Sequence, residues 1–333
     1  MHEAKYYRLL KDKVECRLCP HQCKISEGKA GICRVRRNMK GELYSMVYGK
    51  SVAANADPIE KKPLFHFKPG SRSFSFGTVG CNLRCEHCQN ADTSQAKPED
   101  YPGQELLPDR IVDLAIEFGC ESISATYNEP TVFFEYMLDT FKLAKERGLK
   151  TVMVTNGFMN PRPAEELQPY LDALNIDLKS FDDRFYREIS GAKLQPVLDS
   201  IKFWHRKAWL EVTNLIIPTL NDDLGEIRKM CVWIVKNLDR EVPLHFSAFH
   251  PCYRMMDKPS TTPEVLFQAY DIAKEAGLKH VYTGNIIAGD REDTYCPQCK
   301  EKVIDRQRYL VGETDIVHGK CRHCGAKVAG VWD

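Results

Sequence analysis

Residues 73–90 read SFSFGTVGCNLRCEHCQN. Ser73–Val79 has the composition of a strand, and the cysteine-rich run behind it reads as the loop at that strand's C-terminal end. Cys81, Cys85 and Cys88 stand in C-x3-C-x2-C spacing. Three thiolates this close can hold three corners of a [4Fe–4S] cube. A fully ligated cube uses four cysteines, so one iron stays free to bind another molecule. The competing reading is a zinc site that takes His87 as its fourth ligand.

Outward from this loop, strands and helices alternate from 73 to 284. Strands are predicted at Glu121–Tyr127, Lys150–Thr155, Leu171–Leu178, Trp209–Ile217, Leu244–Phe249 and Lys279–Thr283. Helices are predicted at Thr131–Arg147, Asp222–Leu238 and Pro263–Ala276. In the first of these Phe133, Met137, Phe141 and Ala144 recur at helical spacing, and Gly148 stops it. Residues 89–108, with three prolines, read as a loop. Roughly six or seven β-α units favour parallel strands. The fold class expected is therefore α/β, a partial or full TIM-like β/α barrel. A doubly wound sheet stays open, because strand order is not written in a sequence. In a barrel, the loops after the strands form the active-site face, and Cys81–Cys88 is such a loop.

The chain has 333 residues, enough for two or three folding units. Hydrophobic residues make up 43% and charged residues 28%, which excludes a disordered chain. Lys and Arg number 47 against 46 Asp and Glu, a net charge of +1 that argues against a broad nucleic-acid footprint. No apolar run approaches the ~18 residues of a membrane span. The N-terminus, MHEAKYYRLLKDKVECRL, lacks an apolar signal core, so a cytoplasmic location is expected. Fourteen cysteines are many for such a chain, and in a reducing compartment they point to metal ligation. Eleven fall into three clusters, which divide the chain into a Cys-rich lobe (1–50), the barrel (51–292) and a terminal module (293–333).

Cys296-x2-Cys299 and Cys321-x2-Cys324 form two knuckles, with Gly325 after the second. That pattern predicts a tetrahedral four-thiolate site of zinc-ribbon or rubredoxin type, with zinc favoured over a single iron and a structural role favoured over nucleic-acid binding. Cys16, Cys19, Cys23 and Cys33 suit zinc or a second iron–sulfur cluster, zinc being favoured. His21 is a candidate replacement ligand. Of the isolated cysteines, Cys231 shares an apolar helix face, Cys120 precedes a strand, and Cys252 follows His250 near the expected active-site face.

The motif CNLRCEHC resembles the cysteine signature of the radical S-adenosylmethionine (SAM) superfamily. The resemblance implies that the open iron chelates the amino and carboxylate groups of SAM. The reduced cluster then cleaves the sulfonium and gives a 5′-deoxyadenosyl radical. It places His87 near the adenine. Thr126-Tyr127-Asn128-Glu129-Pro130 is similar to the superfamily's Gly-Gly-Glu-Pro segment, with both glycines replaced, and implies that Glu129 accepts hydrogen bonds from the SAM ammonium. Thr155-Asn156-Gly157 and Asp177-Leu178-Lys179 resemble segments beside SAM in glycyl-radical activating enzymes, which assigns Asn156, Asp177 and Lys179 to cofactor binding. Val154 replaces the aspartate of members that bind a monovalent cation. His250 resembles a histidine that contacts the SAM ribose, and Asn214 is a further candidate.

Taken together, CRLCPHQC…GICRVRRN, CNLRCEHCQN, TYNEPTVFFEY, NLIIPTLND and the terminal ribbon resemble the AmmeMemoRadiSam-system radical SAM enzymes, relatives of the pyruvate formate-lyase activating enzyme. This implies Memo-like and AMMECR-like proteins as partners and an electron donor such as ferredoxin or flavodoxin. The expected activity is hydrogen abstraction from an unidentified substrate, a peptidyl one among the candidates. The alternatives are a glycyl-radical-enzyme activase and a non-catalytic metal-rich nucleic-acid-binding scaffold.

Overall fold

The computed structural model describes residues 1–287 and 289–332. They divide into two compact units. The first comprises Met1–Asp57, Arg72–Ala173 and Tyr186–Ser200; the second comprises Pro58–Ser71, Leu174–Phe185 and the chain from Ile201 onward.

In the first unit, β1 (Arg72–Gly77), β2 (Ser122–Ala125) and β3 (Lys150–Thr155) are parallel neighbours. Ser122 pairs with Ser73 on one side and Lys150 on the other. The strands are buried along nearly their whole length, as parallel strands covered on both faces must be. Helix α1 (Pro108–Glu117) follows β1, and α2 (Phe134–Glu146) follows β2. The expected Thr131–Arg147 helix is thus two pieces. A 3-10 turn, Pro130–Phe133, comes first, because Pro130 cannot donate and the Glu129 side chain caps Thr131. Helix α3 (Pro161–Leu167) follows β3.

The N-terminal lobe is built from two three-stranded antiparallel sheets of very short strands, among them Lys13–Cys16, Lys24–Ser26 and Arg36–Met39. Its apolar filling is small: Val14, Leu18, Ile25, Val35 and Leu43. An ion pair fastens it to α2. Arg36 Nη1 and Nη2 donate to the two carboxylate oxygens of Glu135 at 2.8 and 3.0 Å, and both residues are buried.

In the second unit, β4 (Ala173–Asp177), β5 (Trp209–Ile216), β6 (Leu244–Ala248) and β7 (Val281–Gly284) are neighbours in that order. β5, β6 and β7 are parallel, with Val212, Leu244 and Val281 in register. Helices α4 (Leu224–Asn237) and α5 (Pro263–Glu275) lie in this unit, and Asp223 caps α4 by accepting the Glu226 N–H at 2.8 Å. One helix, Leu194–His205, carries Pro196 in its first turn. This helix, α1 and α3 all have proline near their start, where it reads as a breaker but is compatible with a first helical turn.

The C-terminal segment folds as a meander of Thr294–Tyr295, Lys302–Gln307 and Leu310–Thr314, followed by a small hairpin. It docks at the N-terminal ends of β5–β7. Arg306 donates to Thr294 Oγ1 and to the Phe65 carbonyl, both at 2.6 Å, and Tyr282 on β7 bonds Thr294 at 2.9 Å. Beneath it, the buried Glu211 carboxylate on β5 accepts the backbone N–H groups of Phe65 and His66 at 3.0 and 2.8 Å and contacts His245 Nε2 at 2.6 Å.

Candidate active site

In the first unit, the C-terminal ends of β1, β2 and β3 bring Cys81, Glu129, Thr155 and Asn156 to one place. Gly80 makes the turn into the cysteine loop at φ +95°, and a Cβ there would come within 2.8 Å of the Cys33 carbonyl and 2.5 Å of Val35 Cγ1. Only glycine meets both demands. The Leu83 amide donates to Cys81 Sγ at 3.3 Å, and Asn156 Nδ2 faces the same sulfur at 3.7 Å. Cys88 Sγ lies 3.2 Å from Ser94 Oγ. Desolvation first, and the Glu129 charge second, push the Cys81 thiol well up. A bare thiolate is costly there, whereas a bound cation deprotonates a coordinating thiol outright. The donor set, three thiols with N–H groups aimed at one sulfur, therefore suits an iron–sulfur cluster.

Glu129 is fully buried. Its Oε1 accepts from the Thr131 N–H at 2.9 Å, the Thr131 hydroxyl and the Thr155 hydroxyl at 2.7 Å; its Oε2 accepts the Asn156 N–H at 2.8 Å. Burial raises its pKa, and these donors pull the other way. A carboxylate offers about four lone-pair sites, two on each oxygen. Oε1 is saturated and Oε2 has room for one further donor. The two residues before it, Tyr127 and Asn128, stand where the resemblance expects glycines, yet both adopt left-handed φ values of +52° and +51°. The Tyr127 hydroxyl donates to Asp57 at 2.7 Å and the Asn128 amide to the Thr78 carbonyl, and these bonds hold the strained pair.

His87 is buried. The remaining candidates lie in the second unit. Asp177 and Lys179 form an ion pair at 3.2 Å after β4. Asn214 on β5 is buried and donates to the Leu178 carbonyl at 2.7 Å. His250 is exposed just beyond β6 and bonds Ser260 and the Asn285 carbonyl at 3.3 and 3.2 Å. Cys231 is core, its thiol pushed up to about 12 by burial. Cys120 is buried as well, and Cys252 is partly buried in the loop after His250.

Cys296, Cys299, Cys321 and Cys324 converge, with all four ligand atoms within 4.8 Å of one another. Cys296 and Cys324 are 3.6 Å apart and Cys299 and Cys321 are 3.7 Å apart. Lys300 and Gly325 take matching left-handed conformations after the two knuckles, at +67° and +73°. The N-terminal cysteines surround a cavity instead. His21, the candidate replacement ligand, donates from Nε2 to the Asn82 carbonyl at 2.7 Å, which engages one of its two ring nitrogens.

Three positions lay outside the sequence reading: Gly80, Asn82 and Arg36. Asn82 is buried between the cysteine loops. Its Nδ2 donates to the Phe158 carbonyl at 2.9 Å and its Oδ1 accepts from Asn156 at 2.8 Å. Its signal was its place inside C-x3-C, which a reading of the thiols alone passes over.

Residues 76–234 match the family model of the radical SAM superfamily. An uncharacterized protein of Methanocaldococcus jannaschii is 44% identical over 332 residues, covering 98% of this chain and 99% of that protein. A pyruvate formate-lyase-activating enzyme of Clostridium pasteurianum is 30% identical over 188 residues, 55% of this chain and 76% of that enzyme. Among solved structures, Streptococcus suis SuiB bound to S-adenosylmethionine superposes with a TM-score of 0.51 at 15% identity, over 68% of this chain and 53% of that one. This last likeness concerns the fold. Among the described residues no helix is long and apolar enough to cross a membrane.

Proposed function

Because the chain belongs to the radical SAM superfamily and is homologous to pyruvate formate-lyase-activating enzymes, we propose that it cleaves SAM reductively and abstracts hydrogen from a substrate of its own. The observation that carries this is the Cys81–Cys85–Cys88 loop at the end of β1, with a buried carboxylate and N–H donors converging beside Cys81. A [4Fe–4S] cluster on these thiols, with one iron free of protein ligands, would supply the electron that opens the sulfonium of bound SAM.

The chain's own residues bind and orient. Oε2 of Glu129 has one lone pair left for the SAM ammonium. Asn156 ties the carboxylate to the cysteine loop through its backbone N–H and its side chain. His87, Asp177, Lys179, Asn214 and His250 are proposed as further SAM contacts. The electron donor proposed is of ferredoxin or flavodoxin type, and the motif resemblance supports Memo-like and AMMECR-like partners. The likeness to an activating enzyme favours one second reading, transfer of the radical to a glycine of a partner protein. Membership of an enzyme superfamily speaks against a non-catalytic scaffold.

The test is anaerobic turnover of SAM with dithionite. Wild type should release 5′-deoxyadenosine, and Cys81→Ala/Cys85→Ala/Cys88→Ala should release none. Glu129→Gln should weaken SAM binding roughly 10- to 150-fold, the worth of a charged hydrogen bond. It should also lower the melting point, because the new amide must face the donors of Asn156 or Thr131. Deoxyadenosine from the triple variant, or unchanged SAM affinity in Glu129→Gln, rejects the assignment. A glycyl-radical resonance on a partner selects the activase reading.

A further inference from the structure

The thiols of Cys16, Cys19, Cys23 and Cys33 line one pocket, part of it open to solvent. With Zn–S bonds of about 2.3 Å, tetrahedral thiolates lie roughly 3.8 Å apart and touch one another. The C-terminal site has that closure, at 3.6 and 3.7 Å. Among the described residues only the C-terminal cysteines bring their ligand atoms within 4.8 Å of one another, so the N-terminal thiols around their pocket are spread more widely, as a polynuclear cluster requires. Arg36 lies on the same wall, its guanidinium already paired with Glu135. The Ile32 N–H donates to Cys23 Sγ at 3.5 Å.

The cavity also has a defined neighbour. Asn82, another of its walls, is bonded covalently to Cys81. It accepts from His21, two residues beyond Cys19, and its side chain meets Asn156, which faces Cys81 Sγ. Gly80 packs against the Cys33 carbonyl on the same seam. The residues on either side of Cys81, Gly80 and Asn82, thus both touch the lobe that carries the N-terminal cysteines.

We propose that Cys16, Cys19, Cys23 and Cys33 hold a second, fully ligated [4Fe–4S] cluster that relays electrons to the cluster on Cys81, Cys85 and Cys88. Four protein thiolates leave no open iron, so this site binds neither SAM nor substrate. Its chemistry is one-electron transfer. A low-potential donor protein of ferredoxin or flavodoxin type is oxidised by one electron and the N-terminal cluster is reduced. That electron then passes across the Asn82 wall to the barrel cluster, which delivers it to the sulfonium of SAM. The relay rests on the proposed function; occupancy of the site does not.

The experiment uses the full chain, reconstituted anaerobically with iron and sulfide. Wild type should hold about eight irons, and Cys81→Ala/Cys85→Ala/Cys88→Ala about four, with a reduced resonance that SAM does not alter. Cys16→Ser/Cys19→Ser should lose about four irons and keep the SAM-sensitive resonance. It should still cleave SAM with dithionite, but at least ~10-fold more slowly with reduced flavodoxin. A triple barrel variant with zinc and no iron overturns the second cluster, while a SAM-sensitive four-iron wild type leaves the proposed function standing. Wild type without iron removes both. If the triple variant does not fold, the iron count of Cys16→Ser/Cys19→Ser decides: a loss of about four supports the site and no loss overturns it. Equal rates with flavodoxin in that variant and wild type overturn the relay.

Discussion

The chain carries two sets of four cysteines, one at each end, and they solve different problems. The C-terminal set sits on two knuckles of matched geometry that close on one another. Each knuckle spans four residues and is followed by a left-handed residue, Lys300 or Gly325, which turns the chain back at each knuckle. The N-terminal set spreads over three turns, with nine residues between Cys23 and Cys33, and its sulfurs ring a space. Spacing counts the ligands in both cases. The number of metal atoms a set of thiolates can hold depends on whether the turns close on a point or around a volume.

The largest effect that can break this comparison is at the closed site. Around it, Val303 and Val328 with Cys296 and Cys321 make up a small buried cluster of their own. Ile316, Ala326 and Trp332 pack against it, yet the cluster stays small, so a metal held by the four thiols should add much to the folding of the module, on the order of 10 kcal/mol in isolated domains of this kind. Cys321→Ala should therefore lose one metal ion and expose the segment after Cys296 to proteolysis, with barrel iron unchanged. A variant that keeps its metal and its protease resistance would remove the distinction between the two sites.

The next effect lies at the open site. The N-terminal lobe has a further fastening besides its cysteines, the buried Arg36–Glu135 pair. Arg36 also donates to the Lys5 carbonyl at 2.6 Å. Arg36→Met leaves Glu135 buried and uncompensated, which costs about 3–5 kcal/mol. Arg36→Met/Glu135→Leu should recover most of that stability, because two matched apolar groups replace the pair. Thermal melts of the single and double variants check this. A single variant that melts with wild type would mean that the ion pair holds nothing.

The strand–helix alternation and the grouping of Cys81, Cys85 and Cys88 on one loop were legible because their signals are local. Cys81–Cys88 is one loop and the terminal ribbon is two, so spacing alone groups their ligands. Arg36 and Glu135 are 99 positions apart and neither belongs to a motif, so no periodicity could pair them. Gly80 and Asn82 were hidden for another reason. Each is ordinary in sequence and acquires its role only when the N-terminal lobe arrives against the cysteine loop. Tyr127 and Asn128 show the converse. The resemblance expected glycines there, and side-chain bonds to Asp57 and Thr78 keep the same left-handed path without them.

The smallest predicted effect concerns the base on which the C-terminal module rests. His66 Nδ1 donates to the Ala329 carbonyl at 2.6 Å, its Nε2 meets the Tyr282 hydroxyl, and Val331 pairs with Phe67. Burial first, and the neighbouring His280 second, hold His66 well below the ordinary histidine range. His280 is held down by burial too, against the pull of Glu241. In the unfolded chain both histidines bind protons near pH 6.5. Their folded values are lower, so the unfolded state takes up protons first as the pH falls. Their contribution to stability is complete above about pH 6.5 and is lost on acidification, by at most ~1.4 kcal/mol per pH unit for each proton. Glu241 is held down to about 2, first by its hydrogen bond with His280, and loses its contribution only in the carboxylate range further down. Melting points taken between about pH 7.5 and 5.5 should therefore fall, and His66→Gln should start lower and fall less steeply. A wild-type melting point that stays level across this interval would show that neither histidine is kept neutral beneath the module.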